Sequence, residues 1–219
     1  MNVFDIIGPV MIGPSSSHTA GAVRLGRVAY KLLGEEAAAA DIELTGSFAQ
    51  TYRGHGTDKA LVAGIMGMDS DDERIRTSLD LARESGLKVT FRETNIPNAH
   101  PNTARITLTG KNGGSAVVQG ASVGGGNILI TSINGMSVSF TGQYNTILVR
   151  HQDKPGAIAA VTPFMAGSGM NIGNFRLSRE HRGGEAMMTI EVDGEVSDTV
   201  MNSLGALEVV QQAVLIRAM

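Results

Sequence analysis

The chain has 219 residues, a mass of 22.9 kDa and a formal net charge of −3, a length that allows one large domain or two small ones. With 42% hydrophobic and 18% charged residues it is too apolar for a disordered segment, and no apolar run is long enough for a membrane span. The mild negative charge argues against a nucleic-acid partner, which calls for a concentrated basic face. No basic stretch followed by an apolar one opens the chain, so a cytoplasmic location with no membrane attachment is expected. The absence of cysteine removes disulfides, thiol nucleophiles, thiolate zinc sites and any cysteine-held iron–sulfur cluster from this chain.

The pattern predicts a short strand at 3–7, a Gly/Pro/Ser loop, and a helix with Ala22, Leu25, Ala29 and Leu32 on one face. Ser17 or a neighbour is placed to cap that helix, and Gly34 to stop it. Ile42, Leu44 and Phe48 suggest a strand. A helix at 57–68 turns Leu61, Val62, Ile65 and Met66 inward, and another at 71–85 carries a stripe of Ile75, Leu79 and Ala82 before Gly86. Asp71, Asp72 and Glu73 open that last helix, where acids favour the dipole; this reading is preferred to a metal cluster. From 98 to 149 there is no acid, and only Arg105 and Lys111 carry charge. Short β-branched runs at 105–109, 116–118, 128–133 and 137–140 predict an antiparallel meander. Asn112-Gly113 and Asn134-Gly135 are expected as type I′ turns, which need positive φ at both central residues.

A second unit follows the join at 141–144. Strands at 146–150, 171–178, 186–192 and 209–216, with helices at 153–166 and 197–204, give the order βαββαβ of a ferredoxin-like sandwich. The expectation is an α+β protein of two domains, 1–143 and 144–219.

Three of the five histidines lie in similar surroundings. His18 follows Gly13-Pro14-Ser15-Ser16-Ser17 and His55 follows Tyr52-Arg53-Gly54, each directly before a helix, whereas His100 opens His100-Pro101-Asn102-Thr103 before a strand. Loops on a rigid scaffold are where binding residues concentrate, and helix N-termini favour anions. Two readings stand side by side: caps and ordinary loop histidines, or one site assembled from three loops. A three-histidine metal site lacks any supporting spacing. Gly124-Gly125-Gly126 lacks the strand–glycines–helix order of a dinucleotide site and reads as a bulge or hairpin. In the second unit His151, Asp153 and Asn171 lie on two loops that the fold makes neighbours. They read either as a site for the amino and carboxylate groups of a small amino acid or as plain turn residues.

These motifs carry a family resemblance. Pro155-Gly156 and Gly169-Met170-Asn171-Ile172 resemble the marks of an ACT domain. The segments 13–19, Gly54-His55-Gly56-Thr57-Asp58 and His100-Pro101-Asn102-Thr103 resemble those of the beta subunit of bacterial iron–sulfur L-serine dehydratases, over essentially the whole chain. The N-terminal domain of that subunit is similar in fold to the allosteric substrate-binding domain of some phosphoglycerate dehydrogenases. The resemblance implies deamination of L-serine to pyruvate and ammonia without pyridoxal phosphate. It implies a [4Fe-4S] cluster held by a cysteine-containing alpha subunit and not by this chain. By analogy His18, His55 and His100 line the catalytic pocket, and Ser15, Ser16, Ser17, Thr19 and Asn102 bind substrate, with no residue assigned as the base. His151, Asp153 and Asn171 are the implied effector-binding set. Asp153 stands where serine-binding phosphoglycerate dehydrogenases carry Asn, so an amide donor is replaced by an acceptor-only carboxylate. Self-association through paired ACT domains is expected, and a monovalent cation is admitted without a motif for it. The reading from a different class is a stand-alone amino-acid-sensing module.

Overall fold

Residues 12, 13 and 15–218 are described by a computed structural model. Among them no helix is long and apolar enough to cross a membrane. The expected strand at 3–7 lies outside the described residues. The chain divides into two compact units, Met1–Asn134 and Gly135–Met219.

In the first unit a π-helical turn, Ser17–Gly21, runs directly into α1, Ala22–Leu33. The apolar stripe of α1 faces inward as expected, and Gly34 stops it at φ 72°. The residue at the cap position is Ser16, whose side chain makes no capping bond; the Ser15 Oγ accepts the His18 N–H at 3.4 Å, and Ser17 is already inside the turn. Strand β1, Ala37–Leu44, ends before Phe48, which corrects the expectation that Phe48 continues it. Thr45 is extended, Gly46 turns at φ 58°, and a helix, α2, takes Gly46–His55. Helix α3, Thr57–Ile65, is shorter than expected at its C-terminal end. The expected helix at 71–85 is two pieces, a 3₁₀ turn Glu73–Thr77, capped by Asp72 accepting the Arg74 N–H at 2.9 Å, and α4, Ser78–Glu84, because the Thr77 backbone at φ −114° and ψ 11° leaves helical geometry between them.

Strand β2, Lys88–Glu93, follows and is absent from the sequence reading. Then come β3, Thr103–Gly110, β4, Ser115–Gly124, and β5, Asn127–Ile133. The strand order in this unit is β2-β1-β3-β4-β5. β2 lies parallel to β1, because the α2–α3–α4 segment carries the chain back along the sheet; β3, β4 and β5 form the expected antiparallel meander. Asn134 and Gly135, at φ 49° and 82°, supply both positive values a type I′ turn needs. Asn112-Gly113 does not: only Gly113 is positive there, and a wider turn is held by Glu35, whose carboxylate accepts the N–H groups of Asn112 at 2.5 Å and Gly114 at 2.8 Å.

The core lies between the sheet and α1, with Ile42, Leu44, Ile106, Leu108 and Val118 facing Leu25, Val28 and Ala29. α1 crosses α3 at two reciprocal glycines. A Cβ at Gly26 would overlap the Leu61 carbonyl oxygen, and one at Gly64 that of Val23. Glycine inside a helix costs about 1 kcal/mol relative to alanine. Here that cost lets α3 approach α1 closely enough to hold α2 and its C-terminal histidine against the start of α1.

The second unit opens with β6, Met136–Phe140, and continues with the ferredoxin-like order. It comprises β7 (Asn145–Gln152), α5 (Ala157–Gly167), β8 (Ile172–Arg179), β9 (Glu185–Val192), α6 (Asp198–Gly205) and β10 (Val210–Ile216). The sheet order is β10-β7-β9-β8, every neighbour antiparallel. Ile147, Val149, Met188 and Ile190 face Val161 and Met165 of α5 and Leu204 of α6 in one core. α5 starts at Ala157 instead of 153, because Gly156, at φ 91°, is a left-handed residue that helical geometry excludes.

Candidate active site

The Ser-Ser-Ser-His-Thr segment forms the π turn at the head of α1, closed by Thr19 N–H to Ser15 O at 2.8 Å and Gly21 N–H to Ser16 O at 3.0 Å. This turn buries His18, which is 8% exposed, and leaves both its ring nitrogens bonded. Nε2 lies 3.2 Å from Thr51 Oγ1 on α2, and Nδ1 lies 3.3 Å from Ser15 Oγ. The network sets the tautomer. The Thr51 hydroxyl donates its proton to Ser47 O at 2.7 Å, so toward His18 it can only accept. His18 is therefore protonated at Nε2, and its Nδ1 accepts from Ser15. Burial, and after it the neighbouring charge of His55, lowers the His18 pKa from its ordinary value. The ring is neutral at neutral pH, as this bonding pattern needs.

His55, the last residue of α2, meets His18 edge to face with ring centroids 4.7 Å apart, and Phe48 packs on His18 at 5.3 Å. Unlike His18, His55 is exposed. It lines a cavity of about 290 Å³ with Thr19, Arg53, Gly54, Gly56, Lys59 and Arg76. Asp58, in the first turn of α3, has its carboxyl pKa raised by burial against the opposing pull of Lys59 and Arg53.

The His100 loop reaches the pair through α2. Pro101 O accepts the Phe48 N–H at 3.2 Å, and the Gly46 backbone lies so close that a Cβ there would sit 2.6 Å from Pro101 Cα. The His100 ring itself bonds within its own loop, Nδ1 accepting the Asn102 N–H at 3.1 Å, while the Thr103 hydroxyl donates to His100 O at 2.7 Å. Asn102 O accepts the Ser122 N–H at 3.0 Å from the end of β4, and Ser122 packs on Gly21 of the π turn. Three hydroxyls around this region, those of Thr19, Thr57 and Ser122, are buried without a hydrogen-bond partner. Ser16 and Ser17 are half-buried in the turn.

The structure thus joins His18 with His55 directly and ties Asn102 and His100 to them through α2 and β4. Sequence reasoning missed Thr51, Phe48 and Ser122, since each owes its place to a tertiary contact. Thr51 stands four residues before His55, one helical turn, and is visible only once α2 is known to be a helix.

In the second unit each member of the expected set is bonded to a group outside it. His151, 2% exposed, lies on β7 with Nδ1 2.7 Å from Gln152 O, and its Nε2 is buried without a partner. The Asp153 carboxylate accepts Arg179 Nη1 at 2.9 Å and the Gly183 N–H at 3.0 Å, closing the β8–β9 turn. The Gly183 bond, then Arg179, lowers the pKa of Asp153. Asn171 Nδ2 donates to Asp193 at 2.6 Å.

An iron–sulfur cluster does not fit this chain. It has no cysteine, and among the described residues no group of three or more His, Asp or Glu side chains is placed to hold a metal ion.

The chain matches the serine dehydratase beta chain family over residues 2–132 and the ACT domain family over 145–209. It is 46% identical to the "Probable L-serine dehydratase, beta chain" of Bacillus subtilis, covering 94% of this chain and 93% of that protein. It is 38% identical to the "L-serine dehydratase, beta chain" of Peptoniphilus asaccharolyticus over 94% of each. A D-3-phosphoglycerate dehydrogenase of Bacillus subtilis is 24% identical over 67% of this chain and 28% of that protein. The histidine loops and the βαββαβ unit therefore sit in a chain that belongs to the serine dehydratase beta-chain family and carries an ACT domain.

Proposed function

We propose that this chain is the beta subunit of an L-serine dehydratase, a lyase that converts L-serine to pyruvate and ammonia together with a separate alpha subunit in the cytoplasm. On this reading residues 1–143, with β6 counted in, are its catalytic-side domain and 144–219 its ACT domain. The chemistry removes the α-proton of serine and expels the β-hydroxyl as water; the resulting enamine tautomerises to an imine, which water hydrolyses to pyruvate and ammonia. The [4Fe-4S] cluster belongs to the alpha subunit, whose cysteines hold it, since this chain has none.

The observation that carries the reading is the pairing of a buried, neutral, fully bonded His18 with an exposed His55 at the mouth of a small cavity. His55 is the group free to take and return a proton; His18 holds its ring edge-on and adds no competing charge. His100 and Asn102 shape the neighbouring loop, Thr19 lines the His55 cavity, and Ser15, Ser16 and Ser17 make up the turn that holds His18 beside it. General acid–base catalysis of this kind is worth about 10² to 10⁴ in rate. The ACT unit supplies regulation by an amino acid: His151, with its unpartnered Nε2, is the residue around which Asp153 and Asn171 would rearrange. Pairing of ACT domains would bring two copies together.

The purified chain is expected to be colourless and inactive, and activity to appear when a cysteine-bearing alpha subunit is added without oxygen. Robust serine deamination by this chain alone would overturn the proposal. A stand-alone amino-acid sensor, the second reading, is favoured by the free His151 Nε2. It predicts serine binding by the isolated chain that is lost in His151→Ala and untouched in His18→Ala, read by calorimetry.

A further inference from the structure

We infer that Arg53, Lys59 and Arg76 form the wall of the His55 cavity that binds the substrate's α-carboxylate. The inference deepens the proposed function and rests on it. All three cations line that cavity, and among the described residues no acidic side chain does. The ion pairs among the described residues use other bases, such as Arg27 with Asp69, Arg74 with Asp72 and Arg105 with Glu43. Asp58 is the acid that Arg53 and Lys59 feel most directly, but it lines the neighbouring cleft of about 750 Å³ on the other side of Arg53. The cavity is therefore left with a concentration of positive charge that its own lining does not neutralise.

A second observation points the same way. Thr19, a residue 2% exposed whose buried hydroxyl has no hydrogen-bond partner, lines the same cavity. So do Gly54 and Gly56, the latter directly before α3. A buried hydroxyl without a partner and three cations that form no ion pair among the described residues converge on a space of about 290 Å³. This suits one small carboxylate rather than a bulky polyanion. The serine cluster is less suited to that task, because Ser15 is already spent on His18.

The reaction gives such a wall a reason. Removing a proton from the carbon next to a carboxylate drives the developing charge onto the carboxylate oxygens. Fixed cations there stabilise the transition state more than the bound substrate. His55 stands in the same cavity, so the proton acceptor and the carboxylate anchor lie on adjoining walls.

The test uses the complex of the full chain with its alpha subunit. Arg53→Gln, Lys59→Gln and Arg76→Gln are each expected to lower kcat/KM for L-serine by roughly 10- to 100-fold, the range for losing one hydrogen bond to a charged group. Each is also expected to shrink the preference for L-serine over L-serinamide, which lacks the charge, and Arg76→Lys to recover most of the loss. If all three variants keep kcat/KM and the serine-to-serinamide ratio within 2-fold of the parent, the inference is overturned while the proposed function stands. If the unmodified complex does not deaminate serine, the proposed function fails instead. The inference is then decided on the chain alone, by titrating the His55 ring protons with sodium acetate against sodium chloride at equal ionic strength. A saturable, acetate-specific shift weakened in the three variants supports the carboxylate wall, and no such shift removes it.

Discussion

His18 in the first unit and His151 in the second are both buried histidines in segments that resemble binding loops, yet the fold treats them in opposite ways. His18 has a partner on each ring nitrogen and two rings packed on it, and its tautomer is dictated by a threonine whose own proton is already committed. His151 has one nitrogen against a carbonyl and the other facing nothing. The acid and amide expected beside it are bonded elsewhere, Asp153 to Arg179 and Gly183, and Asn171 to Asp193. A fully bonded histidine supports the group next to it, whereas an underbonded one stands ready for a ligand or for replacement.

The largest effect that sharpens this contrast is catalytic. His55→Ala should leave folding intact, since the residue is exposed, and lower kcat of the assembled enzyme by about 10² to 10⁴, the worth of a positioned acid–base group. Steady-state kinetics decide it; a drop of less than about tenfold would strip the pair of its proton-transfer role.

A smaller effect compares the two buried rings directly. His18→Leu removes bonds to Ser15 and Thr51 in an enclosed site and should destabilise the first unit by about 1–3 kcal/mol. His151→Leu deletes a ring nitrogen that has no partner and leaves a carbonyl on an exposed residue, so its cost should stay within about 1 kcal/mol of zero. Urea unfolding of the full chain, followed separately for each unit, measures both. The reverse order of costs would break the comparison.

How far these features could be read in advance follows from their physics. The α1 stripe with its glycine stop, the Asn134-Gly135 turn and the βαββαβ order are local signals, written in periodicity and in residues that tolerate positive φ, and they were legible. Helix α2 was not, because it buries only Phe48, Ala49 and Tyr52, and Phe48 lies close enough to Leu44 to extend an alternating strand pattern. Edge strand β2 was missed for a related reason: an edge faces water along much of its length, so its residues show little apolar alternation. The site shares that fate. The His18 and His55 motifs stand out in the sequence, but their contact depends on α2, and Thr51, Phe48 and the cations of the cavity become visible with it. Asp153 shows the limit from the other side: its chemistry suited an ammonium ligand, yet the N–H of Gly183 in a distant turn and Arg179 at the end of β8 satisfy it first.

The smallest effect is a pH dependence that belongs to His18 alone. In the folded chain its pKa lies below the ordinary 6.5, so the folded ring stays neutral at pH values where an unfolded one has begun to take up a proton. Below about pH 6.5 the unfolded state therefore binds more protons, and stability must fall as pH falls until the folded ring titrates as well. The contribution is complete above 6.5 and disappears on the acid side. Among the described residues the groups facing the ring are Ser15, Thr51, Phe48 and His55, and the charge effect of His55 on His18 acts in the same direction as burial. Against His18→Gln, which removes the titration, the parent's stability advantage should shrink between pH 7.5 and 5.5 with a slope of at most about 1.4 kcal/mol per pH unit, the limit for one proton. Unfolding midpoints of the two proteins at matched pH values test it. An advantage that stays constant or grows on acidification would mean that His18 carries its charge in the fold, and the donor–acceptor assignment through Thr51 would fall with it.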